Sequence, residues 1–350
     1  MNADGPIAGA TAFALVLLLS PVVIRLCQRW QLFDLPGPLK IHGHPIPRLG
    51  GVAIALAISA DTLFPAALGA RFEWHLFAAL GLIWTAGLAD DLRGVSPLLR
   101  LAAQIAAGVT LWHGGWRLPV HGSGPLGVAA VCIFVVAFAN AFNFLDGLDG
   151  LAAGVTAIIA TGYLGLPDAL GSALGSAVAW SLVGACAGFL LFNFPPAKIF
   201  LGDSGSTVLG LGIAFLGLNL YRSSPATSSG LLFPVMVAGL PLLDAALAVI
   251  RRVKMRKSPF RGDRRHFYDL LLARGLPPRR VVLACYGITA TLVVIARLGM
   301  RGSAPEVILV SGLGLAVLLL GALWLGALRE EHREHHVPRV RRMEEKCEKF

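Results

Sequence analysis

Apolar runs of 15 to 23 residues recur along the chain, each closed by a short polar or glycine- and proline-rich stretch. A helix crossing a bilayer needs about 20 apolar residues. Eleven segments fit that length, near residues 7–28, 50–69, 75–89, 98–113, 126–142, 150–166, 174–192, 206–221, 231–250, 281–298 and 305–327. The pattern predicts an all-α, polytopic integral membrane protein, with one transmembrane domain over residues 1–328 and a charged tail over 329–350. The connections at 30–49, 90–97, 140–150, 193–206 and 251–280 are left to carry chemistry.

Composition sharpens this picture. Of the 350 residues 56% are hydrophobic and 14% charged, whereas soluble domains average about 25% charged. A secreted, fibrous or disordered chain is excluded. The first apolar run follows Asp4 and precedes Arg25 and Arg29, the reverse of a signal peptide, so it reads as a retained helix. With the N-terminus outside, 25 of the 30 basic residues fall on cytoplasmic segments, and the odd number of crossings brings the C-terminus inside as well. The net charge of +10 then describes an inner surface facing anionic headgroups and anionic substrates rather than nucleic acid. The five cysteines are scattered, with no pattern of disulfide or zinc sites.

Because acids are few, their positions are informative. Asp61 lies within an apolar segment without an acidic neighbour, and six glutamates alternate with basic residues in the tail. Three motifs instead end or begin different helices: Gly87-Leu-Ala-Asp90-Asp91-Leu-Arg93, Asn140-Ala-Phe-Asn143-Phe-Leu-Asp146-Gly147-Leu148-Asp149-Gly150, and Phe200-Leu-Gly202-Asp203-Ser204-Gly205-Ser206. Paired acids at a helix C-terminus oppose the macrodipole and need compensation, which a divalent cation supplies. In the second motif polar groups recur every three residues. That stripe drifts about 60° per step on a helix, so a break is expected at Gly147. In the third, Asp203 reads as an N-cap or as a metal ligand, and exposed amides at a helix start also suit phosphate. Lys198 lies just upstream.

Two basic loops complete the set. Residues 251–280 hold eleven cations, with Arg264, Arg265 and His266 beside Asp263 and suited to a diphosphate. The loop containing Lys40, His42 and Arg48 is turn-rich and basic, a second place for phosphate.

In these motifs the chain resembles the polyprenyl-phosphate N-acetylhexosamine-1-phosphate transferase family. The likeness rests on K-x-H-x-x-P-x-P-R-x-G-G (Lys40 to Gly51), the Asp90-Asp91 pair, N-x-x-N-x-x-D-G-x-D-G (Asn140 to Gly150), G-D-S-G-S (Gly202 to Ser206) and the last basic loop, in the family's order. It implies transfer of a sugar 1-phosphate from a UDP-linked amino sugar to polyprenyl phosphate at the inner face of the plasma membrane, with release of UMP. It also implies Mg²⁺, with Mn²⁺ as a substitute, held by Asp203 and Asn143. Asp90 and Asp91 become the catalytic pair, with Asp90 as base or nucleophile, and Gly147, Leu148, Asp149 and Phe200 lie near the uracil. Lys40, His42, Arg48, Asn140, Asp146, Lys198, Arg264, Arg265 and His266 are the remaining substrate-binding candidates, and a homodimer is compatible with the family.

The last loop departs from the usual two or three histidines: His266 stands alone, followed by Phe267, Tyr268 and Asp269. This favours the WecA-like branch over the branch that takes a muramyl-peptide nucleotide. Physically, phosphoryl transfer needs positioning and charge neutralisation, which a cation and basic loops provide. Prenyltransferases would need D-x-x-D-type repeats, and CDP-alcohol phosphotransferases an arginine after Asp146-Gly147. A secondary transporter would place its acids near the bilayer midplane.

Overall fold

The computed structural model describes residues 4–37, 43–63, 72–118, 124–166, 173–223, 229–258, 264–300 and 304–328. Lys40, His42, Asp263 and the charged tail lie outside the described residues. Thirteen helices are described: α1 (Asp4–Arg29), α2 (Gly50–Leu63), α3 (Trp74–Arg93), α4 (Pro97–His113), α5 (Pro125–Leu145), α6 (Leu151–Tyr163), α7 (Ala173–Asn193), α8 (Asp203–Ser223), α9 (Ser229–Val237), α10 (Gly239–Lys254), α11 (Phe267–Ala273), α12 (Pro278–Gly299) and α13 (Ala304–Trp324). Five of them, α1, α5, α7, α8 and α12, are long and apolar enough to cross a membrane, and α2, α6 and α13 contribute shorter apolar stretches. The protein is therefore helical and polytopic.

Two departures from the sequence pattern have local causes. The run at 231–250 is two helices, α9 and α10, separated at Ala238. Pro241 has no N–H to continue the ladder of α9, so the chain restarts from the Ala238 carbonyl, which accepts from Leu242 N at 3.0 Å. The fold also contains a minimal antiparallel pair, β1 (Phe33–Asp34) with β2 (Ile46–Pro47), where only loop was expected.

Packing is organised around α8, in which every residue from Ser204 to Leu220 is buried. Small residues let helices meet closely, as membrane bundles require when lipid offers no hydrophobic drive between helices. A Cβ on Gly210 would stand 2.6 Å from the Phe138 carbonyl of α5, and one on Gly184 of α7 would stand 1.9 Å from the Gly9 carbonyl of α1. Large apolar side chains point outward instead: Leu18, Ile133 and Val317 are 67, 69 and 69% exposed. Buried Asp61 of α2 accepts hydrogen bonds from Thr11 of α1, at 2.8 Å, and from Ser181 of α7. The three helices are thus tied by one carboxylate.

At one end of the bundle the connections are stitched together. Gly50 N and Gly51 N donate to the Phe200 and Leu201 carbonyls at 2.9 and 2.7 Å, and Phe200 N donates to the Pro47 carbonyl at 2.7 Å. The segment around Arg48 is thereby held against the turn that starts α8.

Candidate functional site

A pocket of about 720 Å³ opens at this stitched end. Its wall is built from the last turns of α3 and α5, the first turn of α8, the 146–150 turn, the segment around β2 and the start of α11. Asp34, Asp90, Asp91, Asp146, Asp149 and Asp203 line it, together with Arg48, His44, Arg264 and His266.

The two adjacent acids of α3 do different work. Asp91 is buried, and its carboxylate accepts from the Asp203 and Ser204 amides at 2.8 and 2.9 Å. It therefore caps the N-terminus of α8 from another helix, where two orphan amides and the positive end of the dipole favour an anion. Gly202 precedes that start with φ of 75°, a left-handed conformation that suits glycine. A Cβ there would also lie 2.7 Å from the Arg48 carbonyl and from an Asp91 carboxylate oxygen. Asp203 is thus the first residue of a helix capped by Asp91, and its own carboxylate is directed elsewhere.

That direction is toward Asp90. Asp90 Oδ1 accepts from Val95 N at 2.7 Å, and its Oδ2 accepts from Arg100 Nη1 at 3.1 Å. The same Arg100 nitrogen donates to Asp203 Oδ2. Arg100 stands in the first turns of α4, which Ser96 caps by accepting from Leu99 N at 3.3 Å. None of the sequence motifs singles out Arg100; its one signal is its position just after the Asp90-Asp91 turn.

Helix α5 ends at Leu145, two residues before the expected break, and the 146–150 turn enters the pocket. Asn143 donates to Ser206 Oγ at 3.1 Å, joining α5 to α8. Asn140 is rotated away, donating to Gln104 Oε1 at 2.7 Å and to the Val136 carbonyl at 2.8 Å; it is a helix-packing residue outside the pocket wall. Burial pushes the Asp146 carboxyl well above the ordinary carboxylate range, and the charges of Asp203, Asp91 and Asp149 push it further, with the Gly202 amide pulling back. Asp149 accepts from Ala197 N at 2.9 Å. Asn193, unremarked in the sequence, fixes the turn by accepting from Gly150 N at 2.9 Å and donating to the Ile199 carbonyl at 2.8 Å.

At the start of α11 the single histidine of the last basic loop has a buried partner. His266 Nδ1 lies 2.7 Å from Asp244 Oδ2, and Asp244 Oδ1 accepts from Phe267 N at 2.7 Å. A carboxylate only accepts, so the contact places the proton on Nδ1. The imidazole stacks on Tyr268, with centroids 5.6 Å apart and planes 8° from parallel. Arg264 Nη2 lies 3.1 Å from Asp269; burial pushes that carboxyl up and Arg264 pulls it back. Lys198 is exposed outside the pocket wall, and Arg265 turns to the Gly326 carbonyl at 3.4 Å. Of the residues expected at the site, the pocket therefore gathers Arg48, Asp90, Asp91, Asn143, Asp146, Gly147, Leu148, Asp149, Phe200, Asp203, Arg264 and His266. Asn140, Lys198 and Arg265 are not among them.

Among the described residues, no three acidic, cysteine or histidine side chains form a finished metal cage. Six aspartates and Asn143 turn oxygen donors toward the pocket, beside the imidazoles of His44 and His266. Magnesium takes one or two carboxylates and completes its shell with water and substrate phosphate, so an open oxygen set of this kind fits it.

Residues 74–221 match the family model described as glycosyl transferase family 4. The chain is 31% identical over 284 residues, covering 77% of itself and 78% of the relative, to the probable undecaprenyl-phosphate N-acetylglucosaminyl 1-phosphate transferase of Bacillus subtilis. Over 317 residues it is 33% identical to the decaprenyl-phosphate N-acetylglucosaminephosphotransferase of Mycolicibacterium smegmatis, covering 80% of itself and 78% of the relative. A phospho-N-acetylmuramoyl-pentapeptide-transferase of Desulforudis audaxviator is 30% identical over 344 residues, covering 85% of this chain and 98% of the relative.

Proposed function

Since the chain belongs to glycosyl transferase family 4, we propose that it transfers an N-acetylhexosamine-type sugar 1-phosphate from a UDP-sugar to a polyprenyl phosphate. The observation that carries this reading is the meeting, at one end of an apolar helical bundle, of Asp90 and Asp203 on a shared arginine. Arg48, Arg264 and His266 stand in the same pocket wall. Lipid and nucleotide substrates meet at such a place only if their phosphates are neutralised.

The second pKa of a phosphate monoester is near ~6, so the lipid phosphate is largely dianionic at neutral pH. One of its oxygens bonds to the phosphorus that carries the sugar, the bond from that phosphorus to the bridging oxygen breaks, and the electron pair leaves with UMP. Asp90, at the pocket edge, orients the incoming phosphate and takes any remaining proton. Arg264 and His266 hold the diphosphate, and the 146–150 turn with Phe200 forms the base-binding wall. Asp91 acts through α8, keeping Asp203 in place. Asp203, Asn143 and Asp146 would hold Mg²⁺, which supplies charge neutralisation on the diphosphate when bound.

The same reading proposes eleven crossings, with α9 and α10 as one broken span and α11 as a loop helix, the pocket facing the cytoplasm, and residence in the inner membrane. It is supported by the basic residues around the pocket end. The test is UMP release by purified protein given undecaprenyl phosphate, Mg²⁺ and, in parallel, UDP-N-acetylglucosamine, other UDP-amino sugars and the UDP-muramyl pentapeptide. Release with an amino sugar and its loss in Asp203→Ala are expected. No release with any donor, or release indifferent to Asp203→Ala, overturns the proposal, and a phospho-sugar adduct on Asp90 formed without lipid overturns direct attack.

A further inference from the structure

We infer that Arg100 is an exchangeable counter-cation: it bridges Asp90 and Asp203 and must leave before a divalent ion can bind between them. The inference deepens the proposed function, because it rests on the reading of Asp203 as a metal partner.

One nitrogen, Arg100 Nη1, serves Asp90 Oδ2 at 3.1 Å and Asp203 Oδ2 as well. Two oxygens in hydrogen-bonding reach of one nitrogen are within about 6 Å of each other, a gap that a single cation bridges. Asp91 and Asp149, in the same wall, are held by backbone amides. Both oxygens of Asp91 take α8 amides, and Asp149 takes the Ala197 amide. Asp90 and Asp203 share a side chain on a flexible stem, and Arg100, Asp90 and Asp203 are 27, 20 and 25% exposed, open enough for that stem to move.

A guanidinium and a hydrated divalent ion compete for the same carboxylate oxygens, since each needs their lone pairs and each repels the other. Metal affinity is then lowered by the cost of displacing Arg100, and the displaced guanidinium becomes available to a phosphate. One guanidinium shared by Asp90 and Asp203 offsets part of the negative charge of this wall.

The test reads metal binding and needs no substrate. Mn²⁺ titrations of the full-length protein in detergent, followed by the loss of free-ion EPR signal, compare wild type with Arg100→Gln and Arg100→Lys. Arg100→Gln is expected to tighten Mn²⁺ binding about five-fold or more, the lower end of ordinary site–site coupling. Arg100→Lys, which keeps the charge, is expected to remain near wild type. Unchanged or weaker binding in Arg100→Gln overturns the inference, as does equal tightening in both variants. If Arg100→Gln does not fold, phenylglyoxal labelling of the wild-type protein decides: Mg²⁺ should speed modification of Arg100, read by mass spectrometry, and no change or protection overturns the exchange. Loss of UMP release in wild type with intact metal exchange would count against the transferase reading alone.

Discussion

The Asp91 carboxylate accepts a hydrogen bond from the backbone N–H of Asp203, 112 residues later, at 2.8 Å. With its second oxygen on Ser204 N, it fixes the helix start that presents the Asp203 side chain. Asp91→Asn turns an NH₂ group toward one of these amides and leaves a buried donor without an acceptor, which costs about 1–3 kcal/mol. Asp90→Asn removes a partly exposed charge that caps no helix. Asp91→Asn is therefore expected to lower the Tm in detergent and the activity together. Asp90→Asn should keep a near-normal Tm and lose activity about 100-fold or more. Thermal shift and UMP release on the same preparations check this, and equal Tm values for the two variants would contradict the division of roles.

Asp146 leads to a pH prediction. Its folded-state carboxyl is raised above the ordinary range by burial and by Asp203, Asp91 and Asp149. The native protein thus binds this proton more tightly than the unfolded chain. Stability should fall as pH rises from about 4 through the shifted value, and level off beyond it. Asp146→Asn removes the titration, so the metal-free variant should lose less Tm than wild type between pH 5 and pH 8. Mg²⁺ should stabilise wild type more at the upper end of that interval, where less proton has to be released, and EDTA should reverse the gain. A parallel pH dependence in both proteins would show that Asp146 is not the group concerned.

Much of the site was legible because charge is scarce: in a chain with 14% charged residues, acids at helix ends stand out one by one. Asp90, Asn143, Asp146 and Asp203 come together for that reason. What was illegible depends on partners far along the chain. Nothing near Asp91 indicates that its oxygens meet the start of α8, and nothing near Asp244 indicates His266. Asn140 shared the three-residue spacing of its motif, but a 3.6-residue helix turns it from Asn143 toward Gln104 of α4. The broken run at 231–250 shows a related limit, since hydropathy registers the apolar stretch while the missing N–H of Pro241 ends the ladder.

Close approach to the first turn of α8 gives a contrast among glycines. A Cβ on Gly51 would stand 2.1 Å from Gly205 N, and one on Gly87 would stand 2.7 Å from Ser204 Cα, both against backbone that cannot yield locally. A Cβ on Gly81, in the same helix as Gly87, would meet nothing within 4 Å. Gly51→Ala and Gly87→Ala should each cost about 1–3 kcal/mol by overpacking and displace Asp203 with the turn. Gly81→Ala should be neutral or stabilising by about 0.5–1 kcal/mol, as alanine is the better helix residue. Detergent-phase Tm and UMP release distinguish the outcomes, and a Gly81→Ala defect as large as that of Gly87→Ala would mean the helix itself, rather than its contact with α8, is sensitive.

The Asp244 to His266 contact, 2.7 Å and buried on both sides, marks Asp244 as a positioning residue. Its other oxygen holds Phe267 N, so one carboxylate sets both the ring and the start of the helix that follows. Asp244→Asn keeps the volume but offers only one acceptor, so the ring or the helix start must lose its partner. Misplacement of a substrate-binding group by about 1 Å can cost 100-fold in rate, and a fall in kcat/KM of that order is expected. Because Asp244 acts through His266, its effect should vanish once the imidazole is gone: Asp244→Asn combined with His266→Gln should be no slower than His266→Gln alone. Fully additive losses in that double-mutant cycle, measured by UMP release, would place the role of Asp244 in stability and separate it from the histidine.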